Sequence, residues 1–310
     1  MIRLVVCGLD ESRIDEIARR IRGASVTRLP DLPAGEVAGV ECDAVACFGT
    51  VPPDVRFIAN TIQAGRHMFI ATDVLPSLAD LKSLIEQANS RGVHIQIENS
   101  DHGLPSRRLI FNELRGSKLG QFGLIRSHRW ESTPGLRTVD SFHLPAPLVR
   151  DLELMLWLTD QTPTVVFAVE RSAQQGDTRG TIHVHLGFAG GGMALMDYAD
   201  CLLPGDGYQS LSTICANGAM YVDDHANRQL AYLGGIAQAT STDEGLLPFV
   251  TLIQQFVTGL GAHSPMESGL ARWEQTCALA ATVRQSLDRR SPVAFDSQVH
   301  SPDQALQGSV

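Results

Sequence analysis

The residues best placed to do chemistry follow the first apolar run, in Gly8-Leu9-Asp10-Glu11-Ser12-Arg13. A turn of this kind, between a strand and a helix, is where the pyrophosphate of a dinucleotide is cradled. That duty asks for three glycines: one for the tight turn, one for close backbone approach and one for helix–strand packing. Only the first, Gly8, is present. Asp10 stands at the second position with Glu11 beside it, and a carboxylate there repels phosphate oxygens at a helix start that otherwise attracts them. With two of three mechanical requirements missing, the segment reads as a strand-to-helix turn with a capping acid. About 20 residues on, where an acid for the ribose belongs, the chain reads Ala24-Ser25-Val26-Thr27-Arg28-Leu29-Pro30-Asp31. Arg28 suits a 2′-phosphate, and Asp31, beyond a proline, is the one acid available.

Four further groups carry titratable or charged side chains. His183 and His185 alternate on a strand-like run and so share a face. With no acid or Cys near them in sequence, a sheet-interface role is expected and no metal site. His102 and Asp101, in Asn99-Ser100-Asp101-His102-Gly103, are acid/base candidates. His143 lies in a loop before a helix that carries Arg150 and Asp151. Arg150 is permanently charged, which suits it to clamp a carboxylate or phosphate and not to move protons; a surface pair with Asp151 is the competing reading. Gly190-Gly191-Gly192 is flanked by strand-like runs and reads as a hairpin turn.

The elements that must position these residues change character along the chain. Ile2 to Cys7, Ala44 to Phe48, His67 to Ile70 and Val93 to Ile97 are short apolar runs, as buried parallel strands are. Between them lie amphipathic stretches: one opening at Ser12 and ending at Gly23, one capped by Asp54, and one capped by Ser77 with Asp80 three residues later. Such alternation predicts a parallel sheet with right-handed crossovers. From Leu124 to Val222 strand-like runs follow one another with a helix at Pro147 to Thr159 among them, which predicts a mostly antiparallel sheet. Two helical stripes close the ordered part, one through Leu246, Phe249, Ile253, Phe256 and Leu260, the other through Met266, Trp273, Cys277 and Leu287. Residues 296–310 read as a loose tail.

The chain has 310 residues, a formal charge of −9 and a pI near 5.5. The length suits two domains, and the acidic balance argues against nucleic acid or an anionic membrane as a partner. Six cysteines without C-x-x-C spacing argue for reduced thiols in apolar surroundings. No leader or spanning segment is legible, so a cytoplasmic location is expected.

Several motifs recur in one order along almost the whole length. Ile2-Arg3-Leu4-Val5-Val6-Cys7-Gly8, Asp43-Ala44-Val45 before Pro52-Pro53, Ala64-Gly65-Arg66-His67-Met68 and Leu119-Gly120-Gln121-Phe122-Gly123-Leu124-Ile125-Arg126-Ser127 are the first four. Trp157-Leu158 with Pro163, Ala216-Asn217-Gly218-Ala219-Met220 and Arg289-Arg290-Ser291-Pro292-Val293 complete the series. In this order and spacing the chain resembles the glucose-fructose oxidoreductase / inositol dehydrogenase (Gfo/Idh/MocA) family, as a divergent member.

The resemblance implies an α/β fold in two parts. One is a Rossmann-like parallel sheet over residues 1–98, and the other an α+β domain with a large, mostly antiparallel open sheet over residues 99–295. It implies NAD or NADP held at the strand ends by Gly8, Asp10, Arg28, Thr50 and Thr72, a small-molecule ligand in an interdomain cleft, and a homodimer formed through the C-terminal sheet. The family's catalytic Lys falls at Thr72, whose hydroxyl can hydrogen-bond but is no acid or base near neutrality. The family's His falls at Arg150, and its cleft-facing Arg near His102. Three readings stay open. One is a ligand-binding or regulatory pseudo-oxidoreductase that has lost the dinucleotide. Another is a divergent NAD(P)-dependent oxidoreductase acting on a sugar or similar small polyol or imine. The third is a lyase or isomerase that reuses the cleft through His102 or His143.

Overall fold

The computed structural model describes residues 1–28, 40–48, 54–71, 77–116, 118–131, 138–139, 143–172, 180–202, 208–223, 228–233, 236–241, 246–262 and 268–296. They form two compact units. The first comprises Met1–Pro105 with Glu244–Glu274, and the second Ser106–Asp243 with Gln275–Val310.

In the first unit, β1 (Ile2–Cys7) leads into α1 (Glu11–Arg20) and β2 (Ala24–Arg28). There follow β3 (Ala44–Cys47), α2 (Val55–Gln63), β4 (His67–Ala71), α3 (Leu78–Ser90) and β5 (Ile95–Glu98). The five strands are all parallel, in the order β2-β1-β3-β4-β5. Every residue of β3 is buried, which is why the sequence shows a continuous apolar run there and no alternation. The order reverses between β1 and β3, and in open α/β sheets ligands bind outside the carboxyl ends of the strands at such a point. Cys7 and Cys47, paired in register at those ends, pack with their Sγ atoms 3.5 Å apart and are both reduced.

Helices α1, α2 and α3 each start on a capping side chain: Asp10, Asp54 and Ser77 respectively. The α1 cap is thus Asp10 and not Ser12, because the Asp10 carboxylate reaches the amide of Arg13 while the Ser12 hydroxyl turns back onto that carboxylate. Glu244–Glu274, which the linear reading groups with the second part, packs in the first unit as α6 (Leu247–Ala262) and the start of α7 (Leu270–Arg289). Phe249 meets Phe48 edge-on at 5.3 Å, Phe256 meets Phe69 at 5.9 Å, and the Gln254 amide bonds both backbone groups of Arg22.

The second unit holds α4 (Pro105–Arg115), β6 (Phe122–Trp130), β7 (Thr138–Val139), β8 (Leu144–Pro145) and α5 (Ala146–Thr159). Strands β9 (Pro163–Ser172), β10 (Gly180–Phe188), β11 (Met193–Ala199), β12 (Tyr208–Cys215) and β13 (Gly218–Asp223) come next. The series ends with β14 (Arg228–Leu233), β15 (Ile236–Ser241) and β16 (Val293–Ala294). Nine of them form one sheet, ordered β15-β14-β13-β12-β6-β11-β10-β9-β16, in which only β6 and β11 pair in parallel. Strands β7 and β8 pair separately. The Gly190–Gly192 run closes the β10–β11 hairpin, with Gly191 at φ +83°.

One face of this sheet is covered. Helix α5 has Leu148, Leu152, Met155 and Leu156 buried. Near the far edge, Ser286 of α7 accepts the Ala168 amide of β9 at 2.9 Å. Phe111 of α4 stacks on Trp157 of α5 with ring centroids 4.1 Å apart. No helix among the described residues is long and apolar enough to cross a membrane.

Candidate functional site

The carboxyl end of β1 turns at Gly8, whose φ of +82° only glycine adopts without strain. Asp10 then closes the amino end of α1. Its carboxylate accepts the Arg13 amide at 3.0 Å and the Ser12 hydroxyl at 2.7 Å, and lies 3.2 Å from Arg13 Nε. The Ser12 hydroxyl, then the Arg13 amide, hold its pKa below the ordinary aspartate value. Arg28, at the end of β2, is ion-paired with Glu11. A helix start offers unpaired amides to an anion; here the Arg13 amide and two nearby guanidinium groups are already engaged by the chain's own carboxylates. A phosphate at this turn would meet the Asp10 carboxylate. Thr50, Thr72 and Asp31 lie outside the described residues.

A second group sits at the carboxyl end of β5. Glu98 accepts the Gln96 amide at 2.7 Å, and His102 Nδ1 lies 3.1 Å from its other oxygen. Burial alone would raise the Glu98 pKa; the hydrogen bond and charge of His102, with smaller help from Gln96 and Arg272, outweigh it and bring the group below the ordinary glutamate value. An ionised carboxylate only accepts, so Nδ1 carries the imidazole proton. The Asn99 side chain caps the short 3-10 turn Ser100–Gly103 by accepting the Asp101 amide at 3.0 Å. His102 itself is wholly buried, under α6. Gly103 is the close-approach point, because a Cβ there would run into the Pro248 backbone.

In the second unit Arg150 lies half-buried in the first turns of α5. Asp151 does not face it as a surface partner. It is buried and accepts Arg129 Nε and Nη2 of β6 at 3.0–3.1 and 2.7 Å, with the Ser127 hydroxyl at 3.4 Å. The spacing along a helix explains the difference: adjacent residues point about 100° apart, so Arg150 and Asp151 serve different neighbours. His143 is exposed at φ +52°, immediately before β8.

His183 does have an acid beside it. Asp197 of β11 stands directly opposite both His183 of β10 and His128 of β6 in the register. His183 Nδ1 lies 2.7 Å from one carboxylate oxygen and His128 Nδ1 2.8 Å from the other. Burial lowers the His128 pKa, and Arg126 and His183 add to that against the pull of Asp197. Asp197 and His128 escape a sequence reading because they lie on strands 14 and 55 residues from His183, and only the order β6-β11-β10 brings them together. Among the described residues no group of three or more His, Cys, Asp or Glu is arranged to hold a metal ion.

The fold built around these sites has counterparts among solved structures. An oxidoreductase from Agrobacterium radiobacter, in complex with NAD+, L-tartaric acid and magnesium, superposes with a TM-score of 0.78 at 10% identity, over 96% of this chain and 99% of that one. Aldose-aldose oxidoreductase from Caulobacter crescentus, complexed with glycerol, gives 0.75 at 13% identity, over 94% and 99%. Scyllo-inositol dehydrogenase from Lactobacillus casei, with bound NAD(H) and scyllo-inositol, gives 0.72 at 15% identity, over 95% and 99%. No family model matches the sequence, and no curated protein matches it either. The chain therefore has the α/β fold of the Gfo/Idh/MocA-type dehydrogenases, the class its ordered motifs resemble. It is an oxidoreductase-fold protein, 10–15% identical in sequence to these solved examples.

Proposed function

We propose that this protein is a ligand-binding or regulatory pseudo-oxidoreductase: it keeps the dehydrogenase fold but binds a small molecule without using a dinucleotide. The observation that carries this reading is the Asp10 carboxylate, which occupies the amino end of α1 where a pyrophosphate would have to lie. Thr72 and Arg150, at the positions where the resemblance places a Lys and a His, support it, since neither can move a proton near neutrality. The expected setting is the cytoplasm, with two copies joined through the outer face of the nine-stranded sheet.

A divergent NAD(P)-dependent oxidoreductase acting on a sugar, polyol or imine is the second reading. It is favoured by Gly8, which keeps the left-handed turn that the first glycine of a dinucleotide site supplies, and by the NAD held in two of the solved counterparts. Titration with NADH and with NADPH, followed by thermal shift, separates the two. A ligand at about 100 times its Kd stabilises the folded state by about 2.7 kcal/mol. We expect no shift from either nucleotide at millimolar concentration; a micromolar-affinity shift would establish the second reading instead.

A further inference from the structure

The parallel pair of the nine-stranded sheet, β6 with β11, ends in a group of polar side chains. Tyr198 of β11 is the register partner of Arg129 of β6, so their side chains share a face, and from that face Arg129 reaches Asp151 of α5. The ladder runs one step further, where the Glu131 amide donates to the Ala199 carbonyl at 2.6 Å. By alternation Glu131 and Asp200 lie on the same face, each two residues beyond Arg129 and Tyr198. Tyr198 is 2% exposed and its hydroxyl has no hydrogen-bond partner, although buried polar groups are almost always satisfied. Burial, then the charges of Asp200 and Glu131, push its pKa up against the pull of Arg129, so the hydroxyl keeps its proton. The charges acting on it are unequal: three carboxylates, Asp200, Glu131 and Asp151, against the one guanidinium of Arg129. That guanidinium is taken up by Asp151 in bonds of 2.7–3.1 Å and stands 3.8 Å from Glu131. Asp200 accepts a neutral donor, the Gly180 amide, at 2.7 Å.

We infer that this group is a binding site for the ammonium end of a small organic amine, held by Glu131, Asp200 and the Tyr198 hydroxyl. An ammonium brings three N–H donors and one positive charge. It offsets the surplus of carboxylate charge and gives the phenol oxygen a partner, whereas an uncharged hydroxyl compound would leave the surplus standing. The cation is organic, since among the described residues no group of three or more His, Cys, Asp or Glu is arranged to hold a metal ion. The Glu131 side chain is 22% exposed and opens the group to solvent. The site lies within the second unit, goes beyond the proposed function, and holds whether or not the chain uses a dinucleotide.

The test reads the thermal midpoint of the full chain at neutral pH with ethylammonium chloride. The control is tetramethylammonium chloride at equal concentration, a cation of the same charge without N–H donors. Ethylammonium at about ten times its Kd should raise the midpoint of the unchanged chain by about 2 °C or more over that control. Tyr198→Phe, which removes only the hydroxyl, and Glu131→Gln, at a partly exposed position, should each lose that gain while keeping the circular dichroism spectrum. Equal midpoints in the two salts up to molar concentration overturn the inference. An ethylammonium shift that survives both substitutions places the amine elsewhere and overturns it too. A lowered midpoint for Tyr198→Phe without any amine response assigns the hydroxyl to an ordered water, again against the inference. Titration with NADH bears on the proposed function alone, so the two fail separately.

Discussion

At the scale of single residues, the decisive feature is where buried or helix-terminal charge finds its partner. The clearest case is Asp151, 2% exposed, which takes three hydrogen bonds from the guanidinium of Arg129, itself 3% exposed. Taking both charges out of water is costly, and the geometry of the pair has to offset that cost. Removing one partner leaves the other charged and buried. We expect Asp151→Asn to lower stability by about 3–5 kcal/mol, whereas replacing both residues together, as Arg129→Met/Asp151→Leu, should be close to neutral. Urea denaturation of the three chains checks this; a single variant as mild as the double one would show that the pair is not buried. The pair also ties the first turns of α5 to β6. Nothing in the local sequence announces the partnership, since Arg129 and Asp151 are 22 residues apart and belong to different elements. By contrast, the acid at the start of α1 is legible at once: an Asp between a strand and an amphipathic run is a strong cap signal, and only the choice between Asp10 and Ser12 needs coordinates.

Elements were readable wherever a strong pattern faced one environment. The four apolar runs of the parallel sheet and the stripes of α1, α2, α3, α5 and α6 fall where the periodicity puts them. The sequence does not announce strands β14 and β15: Arg228–Leu233 and Ile236–Ser241 carry little alternation and owe their state to pairing with β13 and with each other. Helix α4 is equally quiet in sequence; Phe111 stacked on Trp157 supplies what its mixed sequence does not advertise. The 3-10 turn under α6 shows how tightly two elements can meet. Gly103 has no room for a side chain against Pro248, so Gly103→Ala forces the two apart. A loss of about 1–3 kcal/mol is expected, the range for overpacking, read as a lowered thermal midpoint. A midpoint within a degree of the unchanged chain would mean that α6 does not rest on this turn.

At the scale of the whole molecule, the nine-stranded sheet poses its own question. Residues of alternate register point away from α5. Among them Trp130, Val165, Val169, Met193, Ile214 and Tyr221 are each 38–47% exposed. Six large apolar side chains on one sheet face are more than scattered surface residues amount to, and a face of this kind marks an interaction surface. If two copies meet there, as proposed, sedimentation should give a dimer at tens of micromolar, and Val169→Asp with Ile214→Lys should give a folded monomer. A monomeric unchanged chain would remove the dimer from the proposal. The row His183–Asp197–His128 crosses the same face, so charge and apolar surface are interleaved there.

By itself, the amino-acid sequence determined the fold class, because buried parallel strands, capped helices and ordered motifs are local patterns that survive wide divergence. It also determined the degenerate glycine turn, since a missing glycine and an added carboxylate are visible in six residues. Only tertiary structure decided that Glu244–Glu274 packs in the first unit, that Asp197 serves two histidines, that Asp151 belongs to Arg129 and that Arg28 is held by Glu11. These are contacts between residues distant along the chain. Sheet order and helix return bring them together, and no local periodicity encodes either.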